Sequence, residues 1–202
     1  MSVVEKILIA TKNEGKAKEY RELFGPKGFE VVTLADLNDD TEIIEDGTTF
    51  VQNATIKAKK LAEKYDLLTL ADDSGLEVDY LNGAPGIHSA RYAGDHDDEA
   101  NKKKLLQELA GVLPKERTAH FHCSIVVVSP DKRELAVSGE VQGVILEEQV
   151  GVAGFGYDPL FYYPPFKKSF AQLTSEQKNS VSHRGRAVKA LMERFDTWIN
   201  EK

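Results

Sequence analysis

Two short runs of apolar residues constrain the fold of this chain more than any other feature. They cover Lys6–Thr11 and Leu67–Ala71, and each has the length of a single strand. Strands that are apolar at nearly every position are typical of sheets covered by helices on both faces. Because amphipathic segments alternate with these runs along the chain, the sequence predicts an α/β or α+β fold with helices around a mixed sheet.

The periodicity of the remaining apolar residues predicts further elements of this fold. Thr118–Val128 begins with alternating apolar and polar residues, which indicates a long strand, and Pro130–Arg133 predicts the turn of a hairpin with Glu134–Gln142. Thr49 with Gln52 forms a candidate capping box at the start of a helix. Apolar residues at helical spacing predict helices at Lys16–Phe24, Thr49–Tyr65, Asp98–Ala110 and Arg186–Ile199.

The composition excludes several classes of protein. A chain of 202 residues can bury a sufficient core without disulfides, and Cys123 is the only cysteine, so neither an intrachain disulfide nor a zinc site of paired cysteines is expected. The formal net charge of −7 is opposite to that of proteins that bind nucleic acid without sequence preference. The first ten residues carry only a short apolar run, so we expect no signal peptide and no membrane partner. The sequence thus predicts a single cytoplasmic domain over residues 1–202.

The segment behind the first apolar run has features of a phosphate-binding turn. It consists of Thr11, Lys12, Asn13, Glu14, Gly15 and Lys16, and it leads into the first predicted helix. A helix N-terminus offers unpaired backbone N–H groups and a partial positive charge, and the two lysines add charged donors there. It is not a P-loop, because the glycine-rich run and the Ser or Thr after the lysine are missing. A solvated polar turn accounts for the same residues equally well.

Two adjacent carboxylates follow the second apolar run, in Ala71-Asp72-Asp73-Ser74-Gly75. The strand is predicted to end before them, and open α/β sheets bind ligands at the carboxyl ends of their strands. Paired carboxylates there suit a divalent cation bridged to phosphate oxygens, or one metal ligand beside a carboxylate that accepts a proton from water. A surface turn capped by Asp and Ser is the alternative, but two acids directly behind an apolar strand favour a functional site.

A loop dense in glycine, with two aromatic residues, covers Gly151–Pro159. It is not a dinucleotide-binding fingerprint, since the third glycine is missing and Pro159 prevents a helix from starting there. Glycines beside Phe155 would let the backbone approach a ligand while the ring stacks on a planar base, with Asp158 available to polar groups. A tight bend in which Phe155 and Tyr157 anchor the core is the alternative.

Basic residues lie just ahead of the last predicted helix. Ser182 is the candidate N-cap there, so His183 and Arg184 fall in the first turn, where positive side chains oppose the helix dipole. A purine oxygen at position 6 or a phosphate would explain them, since Lys178, His183 and Arg184 supply donors and no carboxylate acceptor. A solvated basic turn, with Arg184 paired to a surface acid, is the alternative.

Taken in order, these segments closely resemble the inosine/xanthosine triphosphate pyrophosphatase family from about Ile7 to Ala190. No single motif is decisive, and the resemblance rests on their occurrence together and in sequence. The motifs are Thr11-x-Asn13-x-Gly15-Lys16, Gly47-x-Thr49-Phe50 with Asn53-Ala54, Ala71-Asp72-Asp73-Ser74-Gly75-Leu76, Gly83-x-Pro85-Gly86 with Ser89-Ala90-Arg91-Tyr92, Phe155-Gly156-Tyr157-Asp158-Pro159, and Ser182-His183-Arg184.

The resemblance implies a fold, an activity and a cofactor. The fold would be α/β, an elongated mixed sheet with flanking helices in two lobes around a nucleotide cleft, and the protein would be a homodimer. The activity would be hydrolysis of the triphosphates of inosine, deoxyinosine and xanthosine to the monophosphate and pyrophosphate, with Mg²⁺ as cofactor. Such an enzyme removes non-standard purine nucleotides from the nucleotide pool.

The resemblance also implies roles for individual residues. Asp73 would be the catalytic proton acceptor and a Mg²⁺ ligand. The triphosphate would be held by Thr11, Lys12, Asn13, Glu14, Gly15, Lys16 and Ser74. The base and sugar would be held by Phe155, Gly156, Tyr157, Asp158, Lys178, His183 and Arg184.

Two positions depart from the family's usual pattern. Ile44 stands where a metal-binding Glu is usual, and Gln52 stands where Glu is common. We therefore expect Glu45, or else Glu42, to be the second Mg²⁺ ligand. Two other functions stay open: a pyrophosphatase for other modified nucleotides, and a nucleotide-binding regulator without catalysis, for which Ile44 is the reason.

Overall fold

A mixed seven-stranded sheet forms the centre of the computed structural model, which describes residues 5–12, 14–41, 43–94 and 97–201. The strands follow the order β2-β1-β3-β4-β5-β6-β7. Strand β1 pairs in parallel with β2 and β3, whereas β6 pairs antiparallel with β5 and β7. The strands are β1 (Glu5–Ile9), β2 (Phe29–Thr33), β3 (Leu68–Val78), β4 (Thr118–Val128), β5 (Glu134–Ile145), β6 (Phe161–Tyr163) and β7 (Lys168–Ser169).

The α-helices flank this sheet, which confirms the α/β class with a mixed sheet. They are α1 (Glu14–Phe24), α2 (Phe50–Tyr65), α3 (Asp98–Glu108), α4 (Ser175–Val181) and α5 (His183–Asn200). Thr49 caps α2, because its hydroxyl oxygen accepts a hydrogen bond from Gln52 N at 3.3 Å. The predicted capping box is only half formed, since Oε1 of Gln52 accepts from Thr48 N at 2.8 Å instead of from Thr49 N. Within the described ranges, no helix is both long enough and apolar enough to cross a membrane.

One boundary differs from the sequence prediction in a way that matters for the site. Strand β3 does not end before the acidic pair but continues through Asp72 and Asp73 to Val78. Its parallel pairing with β1 ends at Leu70, opposite Ile9. The acidic pair therefore follows the parallel part of the sheet as predicted, although the strand itself goes on beside β4.

The first of two compact units comprises Met1–Asp73, Ser124–Val137 and Arg194–Lys202. Its core includes an alanine-lined contact in which Ala54 and Ala58 of α2 pack with Val126 and Val128 of β4. Three aromatic rings, those of Phe24, Phe29 and Phe195, form a second group in which Phe24 and Phe195 meet edge to face at 5.3 Å. These contacts hold α1 and α2, and with them the residues that precede each helix.

The second unit comprises Ser74–Cys123 and Ser138–Glu193. Its core contains residues of four strands, β3 to β6, and of α3, among them Leu76, Phe121, Val141 and Leu105. Buried and exposed residues alternate strictly along most of β5, as expected of a strand with one face toward the core and one toward solvent. The buried face of this strand is the one that meets the start of α5.

Candidate active site

The two adjacent carboxylates of β3 have different partners, because successive side chains of a strand point to opposite faces. Asp72 is only 3% exposed, and its Oδ2 lies 2.7 Å from Nζ of Lys16 in α1. A buried carboxylate needs such a partner, since an unpaired charge is costly away from water. Asp72 thus fixes Lys16, the last residue of the predicted phosphate-binding segment, at the start of α1.

Asp73 belongs to a separate cluster formed with α2. Nδ2 of Asn53 donates to Asp73 Oδ2 at 3.1 Å, and Nζ of Lys57 lies 3.9 Å from Asp73 Oδ1. The same Lys57 ammonium lies 3.1 Å from Oε2 of Glu45. Lys57 is therefore the shared counter-ion of Asp73 and Glu45, the two residues that the sequence predicts as metal ligands.

The surroundings of Asp73 raise the pKa of its carboxyl above the ordinary value. Burial raises the pKa of the Asp73 carboxyl, and the negative charges of Glu45 and Asp72 raise it further, while Lys57 and the Asn53 hydrogen bond lower the pKa. A carboxylate with a raised pKa is a stronger base than an exposed one. The geometry and the pKa together agree with a proton acceptor at this position.

The sequence predictions did not include the contact of Asn53 with Asp73, and they did not include Lys57. Their spacing of four residues places both on one face of α2, the same face that carries the buried Phe50, Ala54 and Ala58. Two polar residues within an otherwise apolar helical stripe could have indicated that these side chains contact other polar groups. Asn53 Oδ1 also accepts from Gly47 N at 2.9 Å, and a Cβ at residue 47 would lie only 2.6 Å from that oxygen, which explains the glycine.

The donor set around Asp73 suits Mg²⁺. Mg²⁺ is usually held by one or two carboxylates together with water and substrate phosphates, and Asp73 with Glu45 offers two carboxylates close enough to repel one another. No group of three or more His, Cys, Asp or Glu residues placed to hold a metal occurs in the described ranges. Ile44 is 75% exposed and lies outside these contacts. Glu42, the alternative ligand, lies outside the described residues.

Only part of the predicted phosphate-binding segment can be placed. Thr11 is buried behind β1, and Lys12 forms an exposed ion pair with Asp40 at 2.9 Å. Such a surface pair is weak, so Lys12 is able to exchange Asp40 for a phosphate. Asn13 lies outside the described residues. Helix α1 begins at Glu14, and the structure describes only the backbone of Glu14 and Gly15.

In the second unit, the start of α5 carries the predicted basic residues. Ser182 caps the helix as predicted, since its hydroxyl accepts from Gly185 N at 3.1 Å. His183 is buried and stacks on the Phe121 ring with 4.8 Å between centroids. Nη2 of Arg184, also buried, reaches Oγ of Ser74 at 3.5 Å. The structure thus brings Ser74 and Arg184 together across 110 positions of sequence.

Close approach of α5 to β5 makes this arrangement possible. A Cβ at Gly139 would lie 2.3 Å from the backbone nitrogen of Ala187 and 2.4 Å from the carbonyl oxygen of His183. Backbone atoms cannot move aside as a flexible side chain does, so only glycine fits. Gly139 therefore helps to set the position of His183, and the sequence pattern did not indicate this.

The glycine-rich loop carries an exposed ring beside two cations. Phe155 is 54% exposed. Nζ of Lys178 lies 4.7 Å from the centroid of its ring, and Cζ of Arg184 lies 5.9 Å from the same centroid. The two aromatic residues of the loop differ, since Tyr157 is buried and its hydroxyl donates to the Ser89 carbonyl at 2.9 Å. Tyr157 anchors the loop, and Phe155 is left available to a ligand.

One interpretation from the sequence is wrong: the basic residues are not without a carboxylate. Oδ2 of Asp158, a residue that is 2% exposed, lies 2.5 Å from Nζ of Lys178 and accepts from Phe155 N at 2.9 Å. An ammonium group has three donors, and this pair uses one of them. Asp158 therefore orients Lys178 and the loop backbone.

The fold and these clusters define an open-sheet α/β protein with ionisable groups behind its parallel strands, where proteins of this class bind ligands. The sequence profile of the Ham1 family matches residues 7–194. The chain belongs to the Ham1 family.

Similar proteins agree with this assignment. A dITP/XTP pyrophosphatase of Listeria innocua is 51% identical over 189 residues, which are 93% of each chain. A dITP/XTP pyrophosphatase of Lactiplantibacillus plantarum is 50% identical over 98% of each chain. The solved structure of the Staphylococcus aureus Ham1 protein superposes with a TM-score of 0.89 at 41% identity, covering 96% of this chain and 99% of that one.

Proposed function

We propose that this chain hydrolyses non-standard purine nucleoside triphosphates, those of inosine, deoxyinosine and xanthosine, to the nucleoside monophosphate and pyrophosphate. The observation that carries the proposal is the 51% identity with a dITP/XTP pyrophosphatase over 93% of both chains. The whole chain, residues 1–202, would act as one pyrophosphatase domain. Its role would be to remove these nucleotides from the cytoplasmic pool.

The proposed reaction is attack of water on the α-phosphorus. A new bond forms from the water oxygen to this phosphorus, the bond to the oxygen that bridges to the β-phosphorus breaks, and pyrophosphate leaves. Asp73 takes the proton of the attacking water, for which its raised pKa suits it. Asn53 donates a hydrogen bond to Asp73 Oδ2, and the positive charge of Lys57 lowers the pKa of the carboxyl and so partly offsets the effect of burial.

A bound Mg²⁺, held by Asp73 and Glu45, would supply charge neutralisation for the departing pyrophosphate. The protein's own contribution to the phosphates comes from the helix N-terminus at α1 and from Lys12 and Lys16. Thr11, Asn13, Glu14, Gly15 and Ser74 complete the proposed phosphate-binding set. Asp72 orients Lys16, since the two form an ion pair at 2.7 Å.

The base is proposed to stack on Phe155, with donors from the basic residues directed at the purine oxygen at position 6. Lys178 keeps two donors besides the one used by Asp158, and Arg184 lies against the same ring. Adenine carries an amino group at position 6, so the donors would be left unpaired, which is costly in a site built around a hydrogen bond. The proposed base-binding part of the site is completed by His183, Gly156, Tyr157 and Asp158.

We also propose that the enzyme is a cytoplasmic homodimer that requires Mg²⁺. The dimer and the cofactor are what the resemblance to the inosine/xanthosine triphosphate pyrophosphatase family implies. Light scattering of the purified protein tests the dimer, because a monomer has half the mass.

A panel of nucleoside triphosphates tests the proposed function. Each is incubated with the protein and Mg²⁺, and orthophosphate is measured with and without added inorganic pyrophosphatase. The inosine and xanthosine nucleotides should yield orthophosphate only with the auxiliary enzyme, and adenosine triphosphate should yield very little. A preference for a modified pyrimidine nucleotide would identify a related pyrophosphatase, and binding without turnover would identify a regulator.

A further inference from the structure

The backbone on both sides of Phe155 is held by hydrogen bonds to carboxylates. Phe155 N donates to Asp158 Oδ2 at 2.9 Å, and Gly156 N donates to Asp98 Oδ2 at 2.7 Å. The first N–H belongs to the peptide unit before the Phe155 Cα, and the second belongs to the peptide unit after it. Since each peptide unit is planar, fixing both units fixes the two backbone dihedral angles of Phe155.

This loop needs such restraints more than most. Gly151, Gly154 and Gly156 all have positive φ angles, and a chain with several glycines loses much conformational freedom on ordering. The Phe155 ring is itself too exposed for packing alone to hold it. The loop therefore depends on its polar contacts for a defined position of the ring.

Asp98 comes from a well-anchored element. It is the first residue of α3, whose N-cap is Asp97 and whose Leu105 is fully buried. Asn101 of α3 accepts from Ala93 N at 2.6 Å and donates to the Ala90 carbonyl at 3.1 Å. A carboxylate that accepts from a backbone N–H makes a charge-assisted bond, which is stronger than a neutral one.

The same helix also holds the residues that lead into the loop. Nζ of Lys102 donates to Gln149 Oε1 at 2.7 Å and to Glu99 Oε1 at 2.6 Å, and Gln149 Nε2 donates to Glu99 Oε2 at 3.1 Å. Lys102 is buried although it is charged. The start of α3 thus contacts the chain at both ends of the glycine-rich stretch, at Gln149 before it and at Gly156, its last glycine.

We propose that Asp98 is a positioning residue for base recognition: by holding Gly156 N–H it fixes the Phe155 ring in the orientation in which a purine base stacks on it. This inference rests on the proposed function, because it assigns the purpose of the ring to base binding. Asp98 acts through the backbone and does not touch the substrate. Its loss should weaken the binding of the base and leave the phosphate chemistry at Asp73 unchanged.

Three variants test the proposal. Asp98→Ala removes the acceptor, Asp98→Asn keeps an oxygen acceptor without the charge, and Asp97→Ala removes the neighbouring carboxylate, which caps α3 through Ala100 N at 2.9 Å. The last is the matched control, since it weakens the same helix end without touching the loop. The measurements are the dissociation constant of inosine monophosphate, kcat and KM for inosine triphosphate, and amide hydrogen exchange of the segment 150–158.

Asp98→Ala should weaken inosine monophosphate binding by about tenfold, the scale of one hydrogen bond to a charged group. It should raise KM, change kcat by less than about twofold, and speed exchange in segment 150–158. Asp98→Asn and Asp97→Ala should both bind inosine monophosphate within about threefold of the unaltered protein.

Unchanged exchange in Asp98→Ala would overturn the proposal whatever the protein binds. Faster exchange with unchanged affinity for inosine monophosphate would overturn the proposal too, because an ordered loop would then not contribute to binding of the base. An equal loss of affinity in Asp97→Ala would assign the effect to α3 as a whole. If the unaltered protein hydrolyses no inosine triphosphate, the proposed function itself fails, and the base-binding role of Asp98 fails with it; if it hydrolyses inosine triphosphate and only the Asp98→Ala results disagree, the role of Asp98 alone fails.

Discussion

Replacing Asp73 by Asn should separate activity from stability. The change removes the proposed proton acceptor but keeps the size of the side chain, so kcat for inosine triphosphate should fall by at least ~10²-fold. Stability should not fall with it. Because the folded-state pKa of Asp73 is raised above its unfolded value, ionisation of this carboxyl lowers stability as the pH rises through the folded-state pKa. Asn does not ionise, so the melting temperature at pH 7 should equal or exceed that of the unaltered protein.

The adjacent Asp72 offers the matched control, since Asp72→Asn is the same chemical change one residue earlier. Asp72 Oδ2 forms the 2.7 Å ion pair with Lys16, and losing a charge-assisted bond costs about 2 kcal/mol. For a chain of this length that corresponds to a melting temperature lower by roughly 4–8 °C. The two variants should therefore differ in opposite directions. Asp73→Asn should have the higher melting temperature and the lower kcat, and Asp72→Asn should have the lower melting temperature and the higher kcat.

The assay measures pyrophosphate release under saturating substrate, and melting is followed in the presence of EDTA so that no metal contributes. Turnover of Asp73→Asn close to that of the unaltered protein would remove Asp73 from the mechanism. If Asp72→Asn lowers kcat more than Asp73→Asn does, the roles of the two carboxylates have been assigned the wrong way round.

Three further predictions concern the base, the metal and the acid stability of the fold. Arg184→Ala should lower kcat/KM for inosine triphosphate much more than for adenosine triphosphate, and equal losses would mean that Arg184 binds phosphate or supports the fold. Activity should disappear with a chelator and return with added Mg²⁺, and full activity in EDTA would exclude the proposed role of the cation. Hydrogen bonds from the Thr41 hydroxyl and then Tyr65 hold the pKa of Asp39 well below its usual range. The stability that Asp39 provides is therefore present above its unfolded pKa of about 4 and is lost as the pH falls through the lower folded pKa. Asp39→Asn should melt earlier than the unaltered protein at pH 7, and this gap should narrow at a pH below about 4; a gap independent of pH would contradict the assignment.

Local patterns in the sequence predicted much of the fold because the interactions behind them are local. The start of α2 depends on Thr49 and its contact three residues away, and the cap of α5 depends likewise on Ser182 and Gly185. The buried strand β1 was evident from its continuous apolar run. The extension of β3 beyond Ala71 was not evident. The polar residues Asp72 to Ser74 indicate the end of a strand, and the pairing with β4 that continues it cannot be seen in the sequence.

The candidate site was predicted in its residue types but not in its pairings. Lys16 and Asp72 are 56 positions apart, and nothing in either segment indicates that they meet. The same holds for Asp158 and Lys178, whose ion pair places a carboxylate among residues that were expected to offer donors alone. Lys57 could have been singled out from the sequence, because it is a charged residue on the apolar stripe of α2. Gly139 could not, because its role depends on the close approach of α5 to β5.

The chain is proposed to cleave between the α- and β-phosphates of non-standard purine nucleotides. This cleavage is tested most directly by ³¹P nuclear magnetic resonance of a reaction that contains the protein, Mg²⁺ and inosine triphosphate, without any auxiliary enzyme. Inosine monophosphate and pyrophosphate should appear in equal amounts as the triphosphate signals vanish, with no orthophosphate. Inosine diphosphate together with orthophosphate would place the cleavage at the γ-phosphate and contradict the proposed release of pyrophosphate.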